Sequence, residues 1–304
     1  MTWTPEAIPD LSGKTVLITG ANSGIGFQAA RLLAAKRARV LIACRDPQRS
    51  QQALTDLKAQ VPGADVVLHS LDLADLASVR KLAAELTASE QRLDILINNA
   101  GVMAPPLMRT KDGFEMQFGT NHLGHFALTG LLLPLLNAAP APRVVTVSSI
   151  AIYIGKIHFD DINWQNRYSP WLAYGQSKLA NLMFALELQR RAATLGGKIS
   201  AFAVHPGYSA TNLQDDMFGG KIFNALFAQS PEMGSYPTVF AATAPAARPG
   251  GYYGPRFGVW GGPGKSPSRP LAHDASIAGE LWQLSEKLTG VVYARQLPTP
   301  AQAA

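Results

Sequence analysis

Thr15-Val16-Leu17-Ile18-Thr19-Gly20-Ala21-Asn22-Ser23-Gly24-Ile25-Gly26 is the stretch that decides the fold. Its first five residues are apolar or β-branched and read as a buried strand, and a helical pattern runs on from Ile25 to Lys36. Glycines at 20, 24 and 26 give the join a tight turn, let backbone approach a pyrophosphate and allow the helix to pack close on the sheet. The helix N-terminus then offers free N–H groups and the positive end of its dipole to an anion. The spacing is G-x-x-x-G-x-G, which departs from the common G-x-G-x-x-G fingerprint, and the order is not the G-x-S-x-G of a hydrolase elbow. The bland alternative is a glycine-rich strand-to-helix turn that binds nothing.

Outward from this unit the alternation continues. Strands are expected at 39–43, 65–69, 93–97, 143–147 and 198–204, and helices at 47–60, 75–87, 113–137 and around Tyr174. Near-continuous apolar strands between helices specify a parallel sheet covered on both faces, an α/β, Rossmann-type doubly wound fold. Ligands of such sheets lie beyond the carboxyl ends of the strands, so the residues just after each strand carry the chemistry. Residues 208–235 break the rhythm, with Met217, Phe218, Ile222, Phe223, Leu226 and Phe227 on a short helix that is either a lid over an apolar substrate or a dimer contact. Residues 244–270, rich in Gly and Pro, read as irregular, and a last helix is expected at 276–289. Neither a linker nor an internal repeat divides the chain, so 1–304 is read as a single domain.

Hydrophobic residues make up 47% and charged residues 16%, as a packed core requires. The single cysteine, Cys44, excludes an internal disulfide and argues against a cysteine metal site; no metal is expected. Glu6 and Asp10 stand near the start without a long apolar run, and the longest such run, 126–136, is too short to span a bilayer and contains Pro134. A cytoplasmic protein without a transmembrane segment is expected. The net charge is +6, with Lys36, Arg37, Arg39 and Arg45 as the densest basic group. It reads as a solvated helix end or as a contact for a small phosphorylated ligand; without interleaved aromatic residues it does not suit nucleic acid.

Two places select the chemistry. NAD-selective sheets of this kind carry an acid at the end of strand two for the ribose 2′-hydroxyl, whereas here Cys44-Arg45-Asp46 follows. Arg45 suits a 2′-phosphate through its bidentate fork, and Asp46, one step on, can cap the helix starting at Pro47. NADP(H) is therefore expected, with NAD(H) less favoured. Further on, Tyr174 and Lys178 lie four residues apart, one turn along the same helix face. A nearby ammonium favours the phenolate, so the pair is expected to bring a tyrosine toward proton exchange near neutral pH. The same spacing also occurs on many ordinary helices.

Taken together these pieces resemble the short-chain dehydrogenase/reductase family. The likeness is carried by the loop from Thr19 to Gly26, Asp72, Asn98-Asn99-Ala100-Gly101, Asn121, Ser148-Ser149, Tyr174-x-x-x-Lys178 and Pro206-Gly207, in that order over residues 14 to about 211. Ala43-Cys44-Arg45-Asp46, Asn121-His122-Leu123-Gly124-His125-Phe126, Ile157-His158-Phe159 and Ser177-Lys178-Leu179-Ala180-Asn181 place it near the retinol dehydrogenase and protochlorophyllide reductase branch. That branch generally prefers NADP(H). Protochlorophyllide reduction is disfavoured, because the resemblance there normally includes several cysteines.

The resemblance implies a catalytic set of Asn121, Ser149, Tyr174 and Lys178. Tyr174 would be the general acid/base, Lys178 would lower its pKa and hold the nicotinamide ribose, Ser149 would bond the substrate oxygen, and Asn121 would help hold a relay water. Cofactor contacts would come from Gly20, Asn22, Ser23, Gly24, Ile25, Gly26, Arg45, Asp72, Leu73, Asn99, Ala100, Gly101, Tyr174, Lys178, Pro206, Gly207 and Thr211, with Asp72 and Leu73 at the adenine. Many relatives form homodimers or larger homo-oligomers through helices equivalent to 113–137 and 172–195. The expected activity is hydride transfer between NADP(H) and a lipophilic alcohol, aldehyde or ketone; the alternative is a nucleotide-sensing binding protein with little turnover.

Other residues have plainer readings. Ser148 or Ser149 can be a polar strand end, and the family usually employs the second of the pair. His122 and His125 have a spacing open to metal ligation, yet read better as packed histidines. His205 reads as structural or cofactor-adjacent. Phe159, Trp164, Tyr168 and Trp171 belong either to the core or to a substrate mouth.

Overall fold

The computed structural model describes residues 3–195, 197–207 and 230–296. Thr211 and the apolar 217–227 stretch lie outside the described residues. Strands β1 (Thr15–Thr19), β2 (Arg39–Cys44), β3 (Val66–Ser70), β4 (Ile95–Asn98), β5 (Arg143–Val147), β6 (Ser200–Val204), β7 (Tyr252–Pro255) and β8 (Pro263–Lys265) form one sheet in the order β3-β2-β1-β4-β5-β6-β7-β8. All pairs are parallel except β7–β8. The helices are α1 (Gly24–Ala34), α2 (Pro47–Gln60), α3 (Leu76–Ser89), α4 (Gly124–Leu131), α5 (Leu133–Ala138), α6 (Pro170–Arg191), α7 (Pro231–Thr243) and α8 (Ala275–Thr289).

Strand side chains alternate between faces, and here both faces are apolar. Leu17, Leu41 and Leu96 pack on one side with Val79, Phe126 and Trp282 from α3, α4 and α8. Val16, Ile18, Val40, Ile42 and Ile97 pack on the other with Ala29 and Leu33 of α1 and Val239 of α7. After β3 the chain crosses back to place β4 beside β1. This reversal of strand order opens a crevice at the carboxyl edge.

Two elements differ from their sequence expectation. The helical region expected over 113–137 is helical from 116 onward but is not one regular α-helix: a π-type stretch, Phe118–Leu123, runs into α4, and α5 follows after a break at Leu132. Pro134 lacks the N–H to continue the ladder, and starts a new helix at its first turn instead. The 244–270 stretch, read as irregular, contains β7 and β8. The pairing of β7 with β6 spans only Ala203–Tyr252 and Val204–Tyr253, too short and too rich in Gly and Pro nearby to show a period. Among the described residues no helix is long and apolar enough to cross a membrane.

Candidate active site

At the carboxyl end of β1 the chain turns through Gly20, whose φ of +66° lies in the left-handed region. A Cβ there would stand 2.8 Å from that of Ala100, and one on Gly26 would be 2.5 Å from the Gly20 carbonyl oxygen. Loop, helix and β4 end are thus drawn together with no room for side chains. Thr19 Oγ1 accepts the N–H groups of Asn99 (2.9 Å) and Ala100 (3.0 Å), and Asn99 Nδ2 donates back to the Thr19 carbonyl at 2.8 Å. Ser23 precedes α1 without a side-chain capping bond, so the first N–H groups of the helix are not taken by a side-chain cap.

At the end of β2, Asp46 caps α2 by accepting Arg49 N–H at 3.0 Å, as its position before Pro47 implied. Arg45 and Arg49 are exposed beside it on the wall of a cavity of about 900 Å³ that runs along the carboxyl edge.

The far end of that cavity holds Ser149, Tyr174 and Lys178. Both serines line the cavity; the Ser148 hydroxyl donates to the Lys178 carbonyl at 2.7 Å, whereas the Ser149 hydroxyl accepts Ala151 N–H at 3.1 Å and has Tyr174 as its other partner. Lys178 is almost fully buried; its Nζ donates to the Val147 carbonyl at 3.2 Å and lies 5.7 Å from the Tyr174 ring centre. Burial pushes the Tyr174 phenol up to about 12, against the pull of the Ser149 hydrogen bond, and burial lowers Lys178 to about 8. The expectation that Lys178 would lower the tyrosine pKa is therefore not what the protein alone displays. Both groups are desolvated, and the ammonium is bonded to a carbonyl rather than to the phenol oxygen.

Asn121 sits behind the wall and not on it. Its Oδ1 accepts Val102 N–H at 2.8 Å, and its Nδ2 donates to the Val102 carbonyl (3.0 Å) and Ser177 Oγ (2.9 Å). Its own carbonyl accepts from His125 Nδ1 at 2.8 Å, while His125 Nε2 meets Thr19 Oγ1 at 2.8 Å. Because Thr19 Oγ1 already accepts two N–H groups, its hydrogen turns to Nε2, which fixes a neutral ring. Burial, lowering His125 to about 4, agrees. His122 bonds Ser285 at 2.9 Å, so both histidines are packed groups, and among the described residues no cluster of three or more His, Cys, Asp or Glu is placed to hold a metal.

The sequence profile described as short chain dehydrogenase matches residues 14–220. The chain belongs to this family. It is 42% identical to human retinol dehydrogenase 13 over 293 residues, covering 92% of this chain and 86% of that protein. A crystal structure of an uncharacterised protein from Mycobacterium paratuberculosis is 45% identical, covers 96% of this chain and 99% of its own, and superposes with a TM-score of 0.82. The Pseudomonas aeruginosa RhlG/NADP active-site complex is 25% identical over 82% of this chain and 96% of its own, with a TM-score of 0.65.

For this dehydrogenase-family chain the fold brings nearly every sequence-assigned residue to one cavity. Gly20, Asn22, Ser23, Gly24, Ile25, Gly26, Arg45, Asp72, Leu73, Asn99, Ala100, Gly101, Ser149, Tyr174, Lys178, Pro206 and Gly207 all line it. Gly207 has φ +71°, and a Cβ on it would stand 2.5 Å from the Val259 carbonyl oxygen, so the β7–β8 connection presses on the loop after β6. His205 steadies that loop, accepting Gly207 N–H at 3.2 Å. Arg49, four residues after Arg45 in the first turn of α2, is a further wall residue that the sequence did not single out. Sequence reading also passed over Met103, Pro105, Ile150 and Ile154, which with Trp171 make an apolar mouth. Isolated apolar residues in loops carry no periodic signal.

Proposed function

We propose that the protein is an NADP(H)-dependent oxidoreductase that interconverts an alcohol and a carbonyl group on a lipophilic substrate. The observation that carries the reading is the convergence of Ser149, Tyr174 and Lys178 at the apolar end of a cavity whose other end is a glycine-rich loop, with no room for a Cβ at Gly20 or Gly26. The residues fit a dinucleotide. Gly20 and Gly26 leave only backbone at the turn, α1 begins with N–H groups not taken by a side-chain cap, and Arg45 and Arg49 supply positive charge where a 2′-phosphate would lie. Asp46 is turned to its cap, which favours the phosphorylated cofactor over NAD(H).

A bound nicotinamide supplies or accepts the hydride. The protein's own groups manage the proton and the geometry. Tyr174, protonated at neutral pH, is in the state that donates to a carbonyl oxygen, so reduction is favoured near pH 7 and oxidation at higher pH. Ser149 can bond the same oxygen, orienting the substrate. Buried Lys178 keeps a positive charge close to the tyrosine ring and stabilises negative charge arising there. Ile150, Ile154, Met103, Pro105 and Trp171 present apolar surface, much of it exposed, that suits an apolar substrate body, in keeping with relatives named retinol dehydrogenases. Within the chain α8 packs on α6, where Trp282 stacks on Phe184 at 5.9 Å.

The test is Tyr174→Phe, assayed by NADPH consumption over aldehydes and ketones of graded size. Turnover is expected to fall at least about a hundredfold with NADPH binding kept. Near-wild-type turnover would overturn the proton-transfer role.

A further inference from the structure

Gln117 is fully buried and is not a wall residue of the cavity, yet its amide is used at both ends. Oε1 accepts the Ala104 N–H at 2.8 Å, while Nε2 donates to the Pro170 carbonyl at 2.9 Å and to the Tyr168 hydroxyl at 3.1 Å. Tyr168 in turn donates to the Pro105 carbonyl at 2.8 Å. The amide orientation is forced, since a backbone N–H only donates and a carbonyl only accepts. Gln117 is itself held from below, because the Glu115 carboxylate accepts the N–H groups of Gln117 (2.9 Å) and Phe118 (2.7 Å).

What this amide joins gives it a purpose. Ala104 has φ +49°, a left-handed conformation that a non-glycine residue keeps only when its surroundings hold it there. Its neighbours Met103 and Pro105 form one side of the mouth. Pro170 opens α6, and the next residue, Trp171, forms another part of the wall and packs edge-on against Tyr174 at 6.1 Å. One buried side chain thus spans the two parts of the wall on either side of the entrance.

We propose that Gln117 is a positioning residue that sets the width of the cavity mouth, bracing the strained 103–105 loop against the start of the helix that carries Tyr174, and so determines which substrate sizes are accepted. The size-selection part rests on the reduction proposed above; the bracing part does not. Long substrates bridge loop and helix at the mouth, whereas short ones react below it.

The experiment compares wild type with Gln117→Met, which keeps length and volume but neither accepts from Ala104 nor donates to Pro170. Straight-chain aldehydes from butanal to dodecanal are reduced with NADPH, and backbone amide exchange is followed by mass spectrometry in the cofactor-free protein. With the amide's three hydrogen bonds to Ala104, Pro170 and Tyr168 lost, amides in 102–106 and 168–172 are expected to exchange about tenfold faster, with those of 14–26 unchanged. KM for dodecanal is expected to rise about tenfold, while kcat for butanal stays within about twofold. Unchanged exchange in either segment, or a KM change equal along the series, overturns the proposal. Should Gln117→Met fail to fold, Tyr168→Phe, which removes one hydroxyl from a half-buried ring, must show the same pattern at smaller amplitude; a wild-type profile overturns it. Wild type inactive on every aldehyde would count against the proposed reaction, and amide exchange would still decide the brace.

Discussion

Lys178→Met is expected to make the cofactor-free protein more stable at pH 7 while abolishing turnover. Lys178 is 4% exposed, and burial lowers its pKa from an ordinary 10.5 to about 8. At about 1.4 kcal/mol per pKa unit, holding the ammonium charged below pH 8 costs about 3 kcal/mol. Methionine has similar length and no charge to desolvate. The substitution also removes the bond to the Val147 carbonyl, worth about 1 kcal/mol, although that oxygen keeps the Asn181 Nδ2 donor at 3.1 Å. The net expectation is a gain of about 2 kcal/mol at pH 7.

The sign of the pH dependence follows from the depressed lysine. Between about pH 8 and 10.5 the unfolded chain holds a proton that the folded chain has released, so wild-type stability rises with pH over this window. The variant lacks this rise, and its advantage shrinks toward pH 10. His125, lowered to about 4, is neutral throughout and adds no slope. Tyr168 and Tyr174, both raised to about 12, retain protons that unfolded tyrosines lose above pH 10, so stability falls again there and the comparison is confined to pH 7–10. Urea unfolding at several pH values measures both curves. A variant less stable than wild type at pH 7, or a difference constant from pH 7 to 10, would refute the reasoning.

Arg45→Ala is expected to weaken NADPH binding by about 10- to 100-fold and leave NADH binding within about twofold, with Arg49→Ala moving the same way by less; titration of nicotinamide fluorescence reads both. Gly26→Ala places a Cβ 2.5 Å from the Gly20 carbonyl oxygen and is expected to abolish binding of either dinucleotide, and calorimetry showing wild-type affinity would contradict the packing argument. Trp282→Ala opens a hole against Phe126, Phe184 and Tyr293 and should lower unfolding free energy by about 3–5 kcal/mol in denaturant titrations. Asp46→Ala removes the α2 cap and should lower it by about 1 kcal/mol, without moving NADPH affinity more than about threefold.

The fold was legible where both faces of a strand are buried, because such strands are continuous apolar runs. The spans read for β1 and β5 coincide with the strands formed, and the α2 helix begins at Pro47 behind its Asp46 cap as read. The Tyr174–Lys178 step was legible for a similar reason: four residues on one helix put the two side chains on a common face whatever packs around them. The π-type turn at Phe118–Leu123 was not legible, since one extra residue in a turn leaves composition unchanged. Nor was β7, whose two-residue pairing with β6 exists only because the sheet edge is there to receive it.

What the sequence determined by itself, then, was local or periodic: the strand-loop-helix unit at 15–26, the order of alternating elements, and the tyrosine-lysine step. The tertiary structure showed how the two cavity-lining serines differ, the Ser148 hydroxyl being bonded to the Lys178 carbonyl and that of Ser149 to the Ala151 N–H. It also placed Asn121 behind the wall, aligned Arg49 with Arg45, and used Gln117 to join two segments 66 positions apart at Ala104 and Pro170. It set the charges as well, holding Tyr174 protonated and Lys178 near the edge of ionisation. Desolvation depends on every atom that packs around a group, and most of those atoms come from elements far away in the chain.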